Sequence, residues 1–277
     1  MSVFTYCLNA STIRPVPLLE KIRIAAEAGY VAVELWYDEI EAYVHGGGRL
    51  RDIRHALDDS ALQLATLIYL RDWFDSTGAR WQEAWQEACR RMEWAAELGS
   101  PFVIASPPAG KADYQEGAQR YAQLLEFGAT LGVRPIMEFL GFVEDLNSIE
   151  KALLVLQRCG RSDGVTVLDP FHIARGGGSV QSIYKLTADQ VAISHFNDIP
   201  AHPPAHQQQD EDRVYPGDGV FDLRGYLQAL WKIGYRGQLS LELFRRDLWQ
   251  QDPRQVARTG LLKMQHIVED TLSLCQP

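Results

Sequence analysis

GVTVLDPFHIA, residues Gly164–Ala174, places a short apolar run directly before polar side chains that can take part in chemistry. Its apolar run Val165–Leu168 is bounded by glycine and proline, which is typical of a short, fully buried strand. Asp169 and His172 follow, so a carboxylate and an imidazole would stand at the rim of whatever sheet contains the strand. Asp before Pro also commonly caps a turn. The stretch alone therefore leaves a functional site and a capped turn both open.

Short, apolar, β-rich runs of the same kind recur along the whole chain. Eight are found, and they are Val3–Leu8, Tyr30–Leu35, Gln63–Ile68, Pro101–Ala105, Arg134–Phe139, Val165–Leu168, Val191–Phe196 and Gln238–Leu243. Segments with helical periodicity alternate with them, and these are Pro17–Ala28, Leu50–Asp59, Arg80–Leu98, Tyr114–Leu131, Ile149–Cys159, Val180–Leu186, Leu223–Ile233 and Pro253–Leu274. Several of these helices are followed by a glycine just before the next strand, which is a common C-terminal cap.

Strict alternation of strands and helices predicts an α/β fold with a parallel sheet covered by helices. Eight units make a closed (β/α)₈ TIM barrel the leading prediction, and 277 residues is a normal length for one barrel. An open doubly wound sheet is the alternative, but no G-x-G-x-x-G sequence follows the first strand. Because no linker or shift in composition divides the chain, residues 1–277 are predicted to form a single domain.

Composition and charge narrow the classes of function. With 46% apolar and 23% charged residues the chain is globular, and its net charge of −9 argues against a nucleic-acid surface. Its four cysteines have no C-x-x-C spacing and are expected to be reduced thiols. The sequence has neither a signal-peptide start nor an apolar run of about 20 residues, so we expect a cytoplasmic protein without a membrane span.

The longest segments without clear periodicity follow predicted strands. They are Asp38–Gly48 and Asp198–Gly219, and in a barrel the loops after strands build the active-site face. The glycine runs Gly46–Gly48 and Gly176–Gly178 could hold a phosphate at the start of a helix. Neither run is followed by a Lys-Ser/Thr pair, so flexible connectors are the favoured interpretation.

Four consecutive strands end in a side chain that can bind a metal, and these are Glu138, Asp169, His195 and Glu242. Buried carboxylates are costly unless they are paired or coordinate a metal. The alternative interpretation needs four separate salt bridges, yet no Lys or Arg stands at these strand ends. A mixed oxygen and nitrogen ligand set predicts one divalent ion, either Mn²⁺, Zn²⁺, Co²⁺ or Mg²⁺. Glu34, at the end of the second strand, could either contact substrate or hold another site residue.

Five motifs make the sequence resemble the xylose-isomerase-like TIM-barrel sugar isomerase/epimerase family. They are IMEF (136–139), LDPFH (168–172), SHFND (194–198), EDRVYPGDG (211–219) and SLELF (240–244). The resemblance begins at CLNAST (7–12), spans the chain, and is densest from Asp169 to Trp249. Any one motif is short, but the ordered Glu, Asp, His and Glu set on successive strands is specific.

The resemblance implies a role for each matching residue. The family's single divalent-metal site matches Glu138, Asp169, His195 and Glu242. Glu138 and Glu242 also match its pair of acid/base carboxylates, one on each face of the substrate. His172 matches a histidine that contacts a substrate oxygen, and Arg213 matches a loop arginine that closes over the substrate. Glu144 matches an acid that contacts substrate in the family's ketose epimerases.

The implied reaction is isomerisation or epimerisation of an unphosphorylated keto-inositol or ketose. It would proceed by proton abstraction next to the carbonyl, through an enediolate. The close match around Arg213 and the lack of a basic phosphate cluster support this substrate class. A dehydratase or lyase acting on an inosose or a 3-keto-glycoside is the alternative, because such enzymes begin with the same proton abstraction.

Two further interpretations rank lower. An endonuclease IV-like DNA-repair enzyme would need additional histidines after strands three and four, where the chain reads TLIYL and VIASPP. A non-catalytic binding protein on the same fold would not need the complete ligand set. We therefore expect an enzyme of carbohydrate metabolism, specifically inositol catabolism, that acts on a small molecule and binds neither nucleic acid nor membrane. Assembly into a homo-oligomer is left open.

Overall fold

The computed structural model describes residues 3–273 and shows a closed barrel of eight parallel strands. Each strand pairs with its neighbour in sequence, and the first strand closes the barrel by pairing with the last. The strands are β1 Thr5–Asn9, β2 Ala32–Trp36, β3 Gln63–Leu70, β4 Phe102–Ala105, β5 Arg134–Met137, β6 Val165–Leu168, β7 Val191–His195 and β8 Gln238–Leu241. The predicted (β/α)₈ TIM barrel is confirmed.

Helices surround the barrel on its outer side. They are α1 Leu18–Ala28, α2 Tyr37–His45, α3 Leu50–Asp59, α4 Gly78–Leu98, α5 Tyr114–Leu131, α6 Ile149–Arg158, α7 Pro170–Arg175, α8 Leu223–Lys232 and α9 Pro253–Ser273. Glycine caps end several of them as predicted; Gly29 takes a left-handed φ of 100° and donates its N–H to carbonyls of the last turn of α1. Leu274, the last residue of the predicted final helix, and Cys275 lie outside the described residues.

Three short elements differ from the sequence prediction. Residues 38–48 were predicted to be irregular, but α2 fills most of this segment. Only Tyr37 and Ile40 of α2 are buried, so its helical periodicity is too short to stand out. The predicted helix Val180–Leu186 is instead a 3₁₀ helix over Val180–Lys185. Helix α7 was not predicted, since six residues provide less than two helical turns of pattern.

Apolar side chains fill two layers of the barrel. The interior cluster is small and β-branched, and it consists of Cys7, Ala32, Ala65, Ile68, Ile104, Ile136, Val165, Val167 and Ile193. A larger cluster lies between the strands and the surrounding helices. Of the cysteines, Cys7, Cys89 and Cys159 are free thiols. Within residues 3–273, no helix is both long and apolar enough to cross a membrane.

Candidate active site

The predicted metal-binding side chains follow the carboxyl ends of four adjacent strands. Glu138 follows β5, Asp169 follows β6, His195 is the last residue of β7, and Glu242 follows β8. Because neighbouring parallel strands end at the same face of the barrel, all four side chains reach one mouth. Each is less than a tenth exposed, so their charges are shielded from water and act strongly on one another.

The tightest group consists of Asp169, His195 and Glu242. One ligand atom from each lies within 4.8 Å of the other two. Nδ1 of His195 is 3.1 Å from Oε2 of Glu242 and 3.6 Å from Oδ2 of Asp169. These contacts are close but not aligned for hydrogen bonds, so among the described residues neither ring nitrogen of His195 has a hydrogen-bond partner. A cation between these three side chains would satisfy Nδ1 and both carboxylates together.

The donor chemistry of this group fits a divalent metal ion. Burial alone would lower the pKa of His195, but the carboxylates of Glu242 and Glu34 raise the pKa of the imidazole well above its ordinary value. A proton on His195 and a metal ion therefore compete for the same negatively charged surroundings. Two carboxylates and one imidazole form the mixed oxygen and nitrogen set that zinc and manganese accept.

Asp169 caps a helix and also faces the barrel mouth. Its Oδ1 accepts the backbone N–H of Phe171 at 2.8 Å and so caps the N-terminus of α7. The amide of Asn197 donates to the same oxygen at 3.0 Å, which leaves Oδ2 turned toward His195 and Arg213. The cap and the site are thus one arrangement, because capping with Oδ1 aims Oδ2 into the barrel mouth.

Glu34 lies beneath the cluster and is fully buried. Thr66 donates to its Oε2 at 2.6 Å, while Asn9 donates at 3.2 Å to Oε1, which also accepts the hydroxyl of Ser240. The same Oε1 lies 3.4 Å from Nε2 of His195. Burial would raise the pKa of Glu34, but His195 and the hydroxyl donors lower it overall, so the carboxylate is ionised. Glu34 therefore faces His195 and does not line the cavity described below.

Glu138 stands apart from the three-residue group. Its Oε2 accepts the hydroxyl of Ser106, which follows β4, at 2.8 Å. Burial raises the pKa of Glu138 to about 8, and the nearby His195 only partly opposes this rise. The structure therefore brings together three of the four predicted ligands and places Glu138 beside them as a buried carboxyl with a raised pKa. Its role as a fourth ligand stays a prediction.

Arg213 supplies a cation that the strand ends themselves lack. Its Nη2 donates to Oδ2 of Asp169 at 3.1 Å and lies 3.5 Å from Oε2 of Glu242. Its Nη1 donates to Asp210, and the guanidinium lies over the ring of Phe171 at 4.1 Å. The guanidinium holds the pKa of Asp169 well below its ordinary value, against the opposing effect of burial. The loop after β7 thus brings Arg213 to the cavity, and its closure over a substrate stays a prediction.

His172 faces a hydrogen-bond donor at each ring nitrogen. The backbone N–H of Gly141 donates to Nδ1 at 3.2 Å, and Nη2 of Arg213 lies 3.1 Å from Nε2. Burial lowers the pKa of His172 to about 4, so the ring is neutral. Arg213 also lowers this pKa, whereas Asp169 raises it. A neutral imidazole has one acceptor nitrogen, so only one of these two donors is satisfied at a time. When the proton is on Nε2, an acceptor atom beside Nε2 and Arg213 would satisfy both donors.

A cavity of about 730 Å³ opens above these residues. Glu138, Glu242, His172 and Arg213 lie at its inner end, and its walls include Trp36, Tyr69, Phe142 and Phe244. This volume is within the usual range for a small-molecule site. Glu144 is exposed, does not line the cavity, and is not brought to the other site residues.

Sequence reasoning missed several polar side chains that support the site. Ser106 follows β4 directly, so its place after a strand was a usable signal. Asn9 is the last residue of β1, so its place at a strand end was also a usable signal. Its side-chain amide donates a hydrogen bond to Oε1 of Glu242 at 3.0 Å. Asn197 lies two residues after His195, and Thr66 and Ser240 lie within strands where their polarity alone marked them. Arg71, which lines the cavity, follows β3.

Comparison with known proteins places this site in a family. The chain is 26% identical over 265 residues to an inosose isomerase of Bacillus velezensis, an alignment that covers 92% of this chain and 93% of that protein. It is 28% identical over 258 residues to a 3-dehydroshikimate dehydratase of Pseudomonas aeruginosa, covering 92% of this chain and 40% of the dehydratase. The chain thus spans two fifths of that longer enzyme.

The fold has close neighbours among solved structures. A crystal structure of the IolI protein with a zinc atom superposes with a TM-score of 0.88 at 24% sequence identity, over 96% of this chain and 99% of that chain. The family model described as xylose isomerase-like TIM barrel matches residues 22–266. The barrel, the strand-end residues and this match agree, and the chain belongs to the xylose isomerase-like TIM barrel family.

Proposed function

We propose that the protein is a divalent-metal-dependent isomerase or epimerase that acts on a keto-inositol or a ketose. The observation that carries this proposal is the pair Glu138 and Glu242. Both carboxyl groups line one cavity, beside the group formed with Asp169 and His195. A buried pair of this kind can remove a proton from one carbon and return it elsewhere. The inosose isomerase relative supports the substrate class.

The metal would be held by Asp169, His195 and Glu242, with Glu138 as the predicted fourth ligand. When bound, a divalent ion polarises a substrate carbonyl and makes the neighbouring C–H more acidic. We propose Mn²⁺ or Zn²⁺ as the native ion, with Co²⁺ and Mg²⁺ as alternatives from the same ligand set. The zinc atom in the IolI structure supports a divalent ion as the cofactor of this chain.

Glu138 is the proposed base. Burial keeps its pKa near 8, so the carboxyl can both take up and release a proton at neutral pH. The hydroxyl of Ser106 fixes one carboxyl oxygen and leaves the other free to face the cavity. Glu242 would return the proton from the other side of the substrate, since Asn9 fixes its Oε1.

Arg213 and His172 are the proposed binders of the substrate oxygen that gains negative charge. The guanidinium Nη2 and Nε2 of the neutral imidazole lie 3.1 Å apart. With the imidazole proton on Nε2, a substrate oxygen beside the pair would accept a hydrogen bond from each. Preorganised donors of this kind stabilise an enediolate more than the starting ketone.

A dehydratase is the second candidate function, and the 3-dehydroshikimate dehydratase relative favours it. Both reactions begin with removal of a proton next to a carbonyl. They differ in whether the intermediate is reprotonated or loses a hydroxyl group from the next carbon. Loss of a hydroxyl yields an unsaturated ketone with strong ultraviolet absorbance, so product spectra separate the two.

We propose that the enzyme works in carbohydrate metabolism, in inositol catabolism, and in the cytoplasm. Its partner would be a small keto sugar or inosose rather than nucleic acid or a membrane. Glu144 stays a proposal as a substrate contact, which would require movement of its exposed segment.

Proton exchange with solvent tests the proposal. The metal-loaded protein is incubated in D₂O with 2-keto-myo-inositol and a panel of ketoses, and deuterium is located by NMR. The proposal predicts deuterium at the carbon next to the carbonyl with the wild type and about 10²–10⁴-fold slower exchange with Glu138→Gln. The absence of exchange with every keto sugar tested would refute the enediolate mechanism.

A further inference from the structure

Arg71 differs from the other arginines that line the cavity. Arg14 pairs with Asp38 at 2.7 Å, Arg80 with Asp72 at 2.6 Å, and Arg213 with Asp169 at 3.1 Å. No carboxylate lies within 4.0 Å of the Arg71 guanidinium in the described part of the chain, and none of its N–H groups makes a hydrogen bond there. Arg71 therefore brings a positive charge to the cavity that no carboxylate of the described chain neutralises by direct pairing.

Aromatic packing holds the Arg71 guanidinium at the cavity wall. It lies 5.2 Å from the ring centre of Tyr69, which packs edge-on against Trp36 at 6.2 Å. The Trp36 indole donates to Oδ1 of Asn9 at 2.9 Å, and Asn9 also donates to Glu242. A continuous chain of contacts thus connects the exposed Arg71 with Glu242, and both side chains line the same cavity.

The backbone of this wall is also anchored from outside the barrel. The buried Arg91 of α4 donates through Nη1 to the carbonyl oxygen of Tyr69 at 2.5 Å. Arg91 is held in turn by Glu87 and Glu41. The loop that carries Arg71 therefore starts from a fixed point, which favours a defined ligand contact over a freely moving surface charge.

We propose that Arg71 binds a carboxylate of the substrate, so that the preferred substrates are ketoses or keto-cyclitols that carry an acid group. This inference rests on the proposed function, since it concerns the far end of the same substrate. A guanidinium matches a carboxylate through two parallel hydrogen bonds and discriminates strongly against a neutral hydroxymethyl group. Binding at that end would orient the ketone toward Glu138.

The charges at the cavity mouth favour a carboxylate over a phosphate. Asp75 lines the same region without a salt-bridge partner among residues 3–273, so the unpaired charges of Arg71 and Asp75 sum to zero. A phosphate, with a charge of about −1.5 to −2, would meet one cation and one carboxylate. A carboxylate carries a single negative charge, which the single guanidinium of Arg71 matches. Asp75 can accept hydrogen bonds from substrate hydroxyls.

Matched pairs of ketones test this inference. L-Sorbose and 5-keto-D-gluconate differ by a hydroxymethyl group in place of a carboxylate, and 2-keto-myo-inositol and 3-dehydroshikimate provide a cyclic neutral and acidic pair. We expect the metal-loaded wild type to exchange or convert an acidic member with the lower KM. Arg71→Ala should raise that KM about tenfold to a hundredfold, with little change in kcat. Arg71→Lys should fall between the two.

Arg80→Ala is the matched control, because it removes the same charge from the same cavity. It should change the KM of the acidic compound by less than about threefold, since Arg80 is already paired with Asp72. Equal KM increases in both variants would overturn the inference, as would wild-type preference for the neutral members. A preference for D-fructose 6-phosphate over all four compounds would replace the carboxylate with a phosphate. No reaction with any compound would refute the proposed function, and this inference with it.

Discussion

Glu34 and His195 form a buried pair in which Oε1 of the carboxylate lies 3.4 Å from Nε2 of the imidazole. Three side-chain donors surround the carboxylate, so it is fixed before any metal binds. An anion facing Nε2 favours a proton on that nitrogen and leaves the Nδ1 lone pair for the cluster. The ring is thereby oriented toward Asp169 and Glu242.

Glu34→Gln should weaken divalent-metal binding about tenfold to a hundredfold. The substitution replaces the carboxylate that stabilises the metal-bound orientation of His195 with a neutral amide. Calorimetric titration of the metal-free protein with Zn²⁺ or Mn²⁺ measures this directly. Thr66→Val, which removes one donor to Glu34 and keeps the side-chain volume, should cause a smaller loss. Unchanged metal affinity in Glu34→Gln would show that Glu34 does not position the ligand.

The separate placement of Glu138 predicts two distinguishable defects. Glu138→Gln should lower the proton-exchange rate about 10²–10⁴-fold, because the proposed base is lost. His195→Ala should lose metal as well, because its Nδ1 belongs to the tight group of three. We expect Glu138→Gln to bind metal more tightly than His195→Ala does, as measured by metal content after dialysis. Wild-type exchange by Glu138→Gln would contradict its assignment as base.

Ser106→Ala should shift the pH dependence of the exchange reaction. The Ser106 hydroxyl favours the ionised form of Glu138 and so lowers its pKa, while burial raises it to about 8. Removal of the hydroxyl raises the pKa further, so the acidic limb of kcat/KM should move to higher pH by about half to one unit. An acidic limb that coincides with that of the wild type would rule out this contact as a determinant of the base.

His172 should make stability depend on pH in mildly acidic solution. Burial lowers its pKa from about 6.5 to about 4, so the unfolded chain binds a proton that the folded protein excludes. Stability is therefore lost as the pH falls from 6.5 toward 4, by about 2 kcal/mol at pH 5. His172→Gln should show a smaller loss between pH 7.5 and 5 in denaturant titrations of metal-free protein. The exposed His206→Gln should behave like the wild type.

Much of the fold was predictable because its signals are local and repeated. Apolar runs such as Val165–Leu168 and glycine caps such as Gly29 mark strands and helix ends independently of tertiary context. Helix α2 escaped prediction because only Tyr37 and Ile40 of it are buried, so almost no apolar stripe exists. The observed strand ends differ from the predicted ones where a polar residue continues a strand. The first strand, for example, was predicted to end at Leu8 but ends at Asn9.

The candidate site was predictable to the extent that strand ends determine it. Asp169, His195 and Glu242 meet because adjacent parallel strands end at one face. No spacing rule brings Arg213 to Asp169, since the long loop after β7 decides that contact; the family resemblance indicated it instead. The sequence does not show that Arg71 is unpaired. This depends on how the acidic residues around the cavity pair with the other arginines, as Asp72 does with Arg80.

If Asp169, His195 and Glu242 bind the ion on which the reaction depends, exchange of the substrate proton must depend on bound metal. The protein is stripped of metal, reloaded with one equivalent of Mn²⁺ or Zn²⁺, and assayed in D₂O with the best ketone substrate. We expect exchange to disappear on stripping, to return fully at one equivalent of metal, and not to return in His195→Ala. Exchange that persists in the stripped protein at the wild-type rate would contradict a mechanism centred on Asp169, His195 and Glu242.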